Sequence, residues 1–486
     1  MAENGAVELS RGASARPGGG YVGVRVLALA ALGLGLALST GCRRPAASSR
    51  DGDAAATADP APKPEGSAGV LVSDSALAAL VAELLPEAER SSGLEAVRPP
   101  RFAVVGRDRL RGFLTESFRT DLPPERAEAL TAVYARLGLV PDTLDLTATL
   151  LALYTEQVAG YYDPASDTLF VLRRVPRAQL KIVLLHELVH ALQDQYVNLD
   201  SLVHSLRGDN DRSSAAQAAI EGQATLAMVL WQLRLTTGRD VDLSVLPDLG
   251  ALLSNPNLAE GGELESLAAL RAAPRFLQAS LVFPYAGGLS LIQQLWEERP
   301  GRPPPFGRFL PHSTEQVLHP GRLLSSPPDE PARIRFPASP EGEWKEVLSD
   351  DLGEFETRVF LQEQLGDSTT ASLAAEGWDG DRYRLLRGPP GEVLVWVTAW
   401  DTRTDAMEFA GSARRALLHR YGGADSTESG GPTEMDGAAV LEASGRRVWI
   451  RPLRSGARWV VLVVDGPARL PLGPDWPLAR FEVDGG

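Results

Sequence analysis

The sequence predicts an α+β protein: a mostly helical core, a small sheet just upstream of its central helices, and a C-terminal α+β module. Three observations predict it. The stretches between Lys181 and Asp194 and between Arg212 and Arg234 are each apolar on nearly every side around a single acid, as buried helices are. Val158 to Val171 reads as two short strands about an Asp163-Pro164 turn. Beyond a Pro-, Ser- and charge-rich stretch from Ser325 to Trp344, strand-like runs rich in Val and Trp flank one long helical pattern.

From the N-terminus, residues 1–41 read as a lipoprotein-type signal peptide. Arg11, Arg16 and Arg25 supply a basic n-region, and Val22–Leu38 an apolar h-region. Cys42, the only cysteine of 486 residues, follows Leu38-Ser39-Thr40-Gly41, which resembles a bacterial lipobox with Ser39 in place of the usual Leu. Lipidation of Cys42 is expected. An ordinary secretory signal or a short membrane anchor is the alternative, since the apolar stretch is near the lower limit of about 17–25 residues for a span. Each version places the bulk of the chain outside the cytoplasm, in the cell envelope. Arg43 rather than Asp after Cys42 leaves the outer membrane as the location the lipoprotein resemblance implies. Residues 42–69, with hardly a bulky apolar side chain, read as a disordered tether.

Residues 70–325 are expected to form the helical core domain, 326–350 a linker and 351–486 the C-terminal module. Ser73-Asp74-Ser75 caps a helix through Glu89, with Leu77, Leu80, Val81, Leu84 and Leu85 on one face. A strand at Phe102–Gly106 precedes helices at Arg107–Phe118 and Pro124–Leu137. A helix starts at Phe283-Pro284-Tyr285 and reaches Glu298, and Ser313 and Gln316 have capping-box spacing in the element His312–Pro320. In the module, a helix at Leu352–Leu365 precedes strands at Val393–Trp400, Arg447–Ile450 and Trp459–Val464, with a helix from Thr404 to Tyr421.

The chemistry sits at His186-Glu187-Leu188-Val189-His190, an H-E-x-x-H pentapeptide. On a helix, residues four apart are neighbours, with Cβ atoms roughly 5–6 Å apart, so His186 and His190 can point at one metal ion. Glu187 stands one step round the helix and is the only charged residue between Lys181 and Asp194. Two imidazoles that hold a metal and a carboxylate that takes a proton from water are what a zinc hydrolase requires. A third ligand is expected downstream. The best candidate is Glu221, the only charged residue between Arg212 and Arg234. An arginine partner would also explain its burial. Ala218, Gly222 and Ala224 would let the two helices approach closely.

H-E-x-x-H with a downstream Glu on a second helix resembles the gluzincin class of zinc metallopeptidases. The longer string His186-Glu187-Leu188-Val189-His190-Ala191-Leu192-Gln193-Asp194-Gln195, with Glu221-Gly222-x-Ala224, is similar to a family of bacterial lipoproteins and secreted proteins. The resemblance implies a zincin-like core and one Zn²⁺ held by His186, His190 and Glu221, with Glu187 as general base. The metzincin form is excluded, because Gln193 and Tyr196 stand where it has Gly and His. The N-E-x-x-S-D pattern of thermolysin-like members is absent.

Other candidates surround this set. Tyr285, beside a glycine pair, is a candidate oxyanion donor, with packing at a helix start as the alternative. His312 and His319 are candidates for substrate or oxyanion contacts, and their spacing of seven makes them a poor metal pair. Asp194 is a candidate acceptor that orients His190. The strand upstream of the motif borders the cleft in such peptidases; a free edge there would pair with an extended peptide, whereas an internal strand would not. The net charge of −15 falls to −16 once residues 1–41, with three Arg and two Glu, are removed. No basic patch is visible, which argues against nucleic-acid partners. The expected activity is hydrolysis of peptide bonds. A zinc-holding envelope scaffold without activity, and a zinc amidase acting on cell-wall peptides, are the alternatives.

Overall fold

Ser73 Oγ accepts the amide of Ala76 and starts helix α1 (Asp74–Ser92), which Gly93 ends in the left-handed region at φ 76°. Leu77, Val81, Leu84 and Ala88 form its buried stripe, so this helix runs a turn beyond the expected Glu89. In this computed structural model, residues 27–30, 70–71, 73–175, 177–254, 268–336, 340, 343–422, 433–435, 438–470 and 476–484 are described. The fold is mixed α+β. Cys42 and the tether to residue 69 lie outside the described residues, as does the signal segment apart from 27–30. No described helix is long and apolar enough to cross a membrane.

Strands β1 (Leu27–Ala30), β3 (Arg101–Val105), β4 (Val158–Asp163) and β5 (Thr168–Leu172) form a sheet of order β1-β4-β5-β3. β4 and β5 are the expected antiparallel pair, and β3 joins β5 in parallel. β1, from the apolar stretch 22–38, pairs antiparallel with β4, Leu27 opposite Tyr162. The strand beside the motif is therefore internal in this chain, with its outer edge taken by an extended segment. A short pair, β2 (Val70–Leu71) and β6 (Arg174–Val175), closes the start of the core.

Helices α2 (Arg107–Asp121), α3 (Pro124–Arg136) and α4 (Leu146–Gln157) cover the region before β4. The central helices are α5 (Arg177–Tyr196) and α7 (Asn210–Thr237), joined by the short α6 (Leu199–Ser205). The helix Arg275–Glu298 packs along α7. It starts eight residues before the expected Phe283, with Pro284 inside it. A Pro interior to a helix forfeits one hydrogen bond, and here the buried apolar face on both sides of it keeps the helix continuous.

The C-terminal sheet is larger than the sequence reading. Its order among the described residues is β11-β12-β13-β14-β10-β9-β8, antiparallel throughout: Thr433–Met435, Ala438–Ala443, Arg446–Ser455, Arg458–Pro467, Gly391–Trp400, Trp378–Gly388 and Lys345–Asp350. The expected linker 326–350 is corrected by this, because Lys345–Asp350 is an edge strand. Ile334–Arg335 also pairs with Glu482–Val483. One apolar core runs from Leu77 in α1 to Val463 in β14 and joins the two halves. Arg126 to Asp350 at 3.0 Å and Arg136 to Glu392 at 2.6 Å tie α3 to the module.

Candidate metal centre

α5 and α7 bring three ligating atoms together. His186 and His190 are one helical turn apart, so both rings leave the same face of α5. His186 Nε2 lies 3.1 Å from Glu221 Oε2 and 3.0 Å from His190 Nε2, and His190 Nε2 is 3.4 Å from Glu221 Oε2. All three residues have no exposed surface. This buried group can bind a metal ion. Among the described residues it is the one group in which three such ligands converge within 4.8 Å. Bonds of about 2.0–2.1 Å in tetrahedral geometry place ligand atoms roughly 3.3 Å apart, close to the observed triangle. His186 Nδ1 and Glu221 Oε1 are buried without hydrogen-bond partners. Among the described residues Glu221 is met by the two imidazoles and by no arginine.

The network behind His190 fixes its tautomer. Its Nδ1 meets Gln193 Oε1 at 2.7 Å. Gln193 Nε2 donates to Ile220 O at 2.9 Å and to Gln223 Oε1 at 3.0 Å, so the amide oxygen is the end turned to the ring. His190 thus donates from Nδ1 and turns Nε2 to the triangle, where a bound cation would take the place of the Nε2 proton. Gln223 continues to Ser92 O at 3.1 Å and links α1 to the pair. Asp194 does not do this work. It accepts Tyr162 Oη at 2.7 Å and the Leu199 amide at 2.8 Å. One residue further round α5 than Gln193, it faces β4 and the start of α6.

Burial pulls His186 down to about 4, against the hydrogen bond its Nε2 gives to Glu221, so its ring is neutral at pH 7. Burial pushes Glu221 up, but the charge of His190 and hydrogen bonds from both rings outweigh it and hold the carboxylate down at about 2. His190 is raised: burial lowers it, and the charge of Glu221 prevails. A neutral imidazole beside an ionised carboxylate is the state a cation requires.

Glu187 is buried on the next position of α5. Gly160 of β4 makes room for it: a Cβ there would meet Val183 Cγ1 at 2.9 Å and Phe170 O at 3.2 Å, with Glu187 Cγ at 3.7 Å. The close approach expected of Ala218 and Gly222 is real, but its partner is the 275–298 helix. A Cβ on Gly222 would stand 2.2 Å from Gly288 O, and one on Gly288 1.9 Å from Ala218 O. That crossing brings Tyr285 to the site, its ring 6.3 Å from the ring of His186. Tyr154 of α4, which the sequence reading passed over, is close enough to Glu221 for that charge to add to burial in raising its phenol to about 12.

His312 is not brought to this group. Its Nδ1 pairs with Glu330 at 2.8 Å. Its neighbour Thr314 binds Asp211, ten residues before Glu221 on α7 and so about 15 Å away along the axis. His319 pairs with Glu354 at 2.9 Å.

A family model described as a domain of unknown function (DUF8575) matches residues 343–458. The match begins two residues before β8 and does not include the His186 group. No curated protein and no solved structure matches the chain.

Proposed function

We propose that this chain is a zinc-dependent metallopeptidase with a zincin-like core, held at the cell envelope by a lipid on Cys42. The observation that carries the reading is the buried triangle of His186, His190 and Glu221 with Glu187 beside it on the same helix. Two His and one Glu are a donor set that zinc accepts while a further position stays open. Zinc bound there supplies Lewis acidity toward the scissile carbonyl and lowers the pKa of water to about 7.

The chain's own residues do the rest. Glu187 takes a proton from the attacking water as the carbon–oxygen bond forms, then passes it to the leaving nitrogen as the carbon–nitrogen bond breaks. Gln193 keeps His190 in the ligating tautomer. Tyr285, beside His186, donates to the oxyanion that develops on the carbonyl. Removal of residues 1–41 on lipidation of Cys42 would take Leu27–Ala30 off the outer edge of β4 and leave that edge open to an extended peptide substrate in antiparallel register.

The complete burial of all four residues favours a second reading, a zinc held as scaffold. One experiment separates them: zinc content and peptide-library cleavage by the detergent-solubilised chain, beside Glu187→Gln. About one zinc in both, with cleavage lost only in the variant, is the expected result. Equal zinc and no cleavage by either would leave the scaffold.

A further inference from the structure

A cavity of about 50 Å³ lies between α3, α4 and the 275–298 helix. A buried water requires roughly 10–15 Å³ on this measure, so there is room for several atoms in file. The body of the cavity is apolar, with Leu130, Leu146, Leu150 and Phe276 on its walls. One end is polar: Arg126, Asn210, Asp350 and Glu356. Arg126 is taken by Asp350 at 3.0 Å. Glu356, 2% exposed, takes a hydrogen bond from Asn210 and has Oε2 buried without a partner. Tyr154 and Leu281 also line the cavity.

We propose that this cavity receives a lysine or arginine side chain of the peptide substrate, its stem along the apolar walls and its cationic head on Glu356 Oε2. The proposal rests on the peptidase reading above and names the residue that reading leaves open. Charge and shape choose the occupant. The carboxylates at the polar end outnumber the cations, and a buried carboxylate is costly until a cation meets it. A metal ion would require several converging oxygens. Among the described residues, the three-ligand convergence occurs at His186, His190 and Glu221 and not here. A long aliphatic stem with one charged end fits a pocket that is apolar along its length and acidic at its tip. Leu281, one helical turn before Tyr285 on the 275–298 helix, lines the cavity and turns that end of it toward the metal centre.

The test uses the zinc-loaded full chain and two readouts. The first is cleavage-site profiling with a peptide library. The second is thermal stabilisation by Nα-acetyl-lysine amide against Nα-acetyl-norleucine amide, the same stem without the charge. The expected result is a basic residue at one subsite, favoured about ten- to a hundredfold over norleucine, and a Tm rise with the lysine amide alone. Both should vanish in Glu356→Gln and in Leu150→Phe, which fills the cavity and leaves Glu356 in place. Cleavage without a basic preference, and no lysine-specific Tm rise, would overturn the pocket and leave the peptidase standing. A lysine-specific rise lost in both variants, without any cleavage, would keep the pocket and refute the peptidase.

Discussion

Gly222→Ala is the sharpest mechanical test of the metal centre. Gly222 follows the candidate ligand Glu221 and faces Gly288 across the helix crossing. The added Cβ would stand 2.2 Å from Gly288 O and 2.3 Å from Gly288 C, where ordinary contact begins at 3.4 Å. Both obstacles are backbone, so no side chain can rotate away, and the helices must part by about 1 Å. Overpacking of this kind costs about 1–3 kcal/mol, offset by the roughly 0.5–1 kcal/mol that Ala gains over Gly in a helix. The net loss should lower Tm by a few degrees, at roughly 2–4 °C per kcal/mol. The larger effect falls on Glu221. A shift of about 1 Å is large against edges of 3.1 and 3.4 Å, and misplacements of that size cost on the order of a hundredfold in rate. Zinc affinity, read by competition with a chromophoric chelator, should fall at least tenfold. Gly112→Ala, on an open face of α2 with nothing within 4 Å, is the control and should be neutral or slightly stabilising. Wild-type zinc affinity and Tm in Gly222→Ala would refute the claim that this crossing positions the ligand.

Two other substitutions follow from the geometry. Gln193→Ala should weaken zinc binding about ten- to a hundredfold by removing the acceptor on His190 Nδ1, while Gln193→Glu restores it and Asp194→Asn changes little; equal affinities in all four proteins would reject the orienting role. Glu315, 2% exposed, is raised by burial to about 9 despite Arg322. A carboxyl with a folded pKa above its unfolded value of about 4.5 stabilises the fold below pH 4.5 and loses that contribution as pH rises toward 9. Glu315→Gln should therefore melt higher than the parent at pH 8–9 and alike at pH 5, and a difference that does not grow with pH would count against the assignment.

The candidate ligand set was legible because its chemistry is anomalous in its surroundings. Two imidazoles a turn apart and two lone acids in apolar helices stand out against Leu, Val and Ala. Gln193 carries no charge and breaks no pattern, so its role appears only once Gln223 and Ile220 are in place to turn its amide. α4 was missed because Leu146–Gln157 is apolar without a clear stripe, and Tyr154 went with it. Lys345–Asp350 read as linker because it is an edge strand whose first residues face solvent. Pro284 read as a helix start because its cost is visible in sequence and the compensating burial is not.

α7 begins on the module. The Asn210 amide donates to Asp350 Oδ1 at 3.0 Å and the Asp211 amide to Asp351 Oδ1 at 2.7 Å, so carboxylates at the end of β8 occupy the positive end of the helix that carries Glu221. Helices are stiff over such lengths, and α7 is accordingly a lever about 15 Å long with its fulcrum at the Gly222–Gly288 crossing. A ligand or partner that shifts the β8 end of the C-terminal domain would tilt that lever and move Glu221 without touching the candidate metal centre. By the same logic the two halves are not separable parts: cutting the chain near residue 343 would strip the lever of its anchor, and the half bearing the H-E-x-x-H motif would lose the geometry on which its chemistry depends.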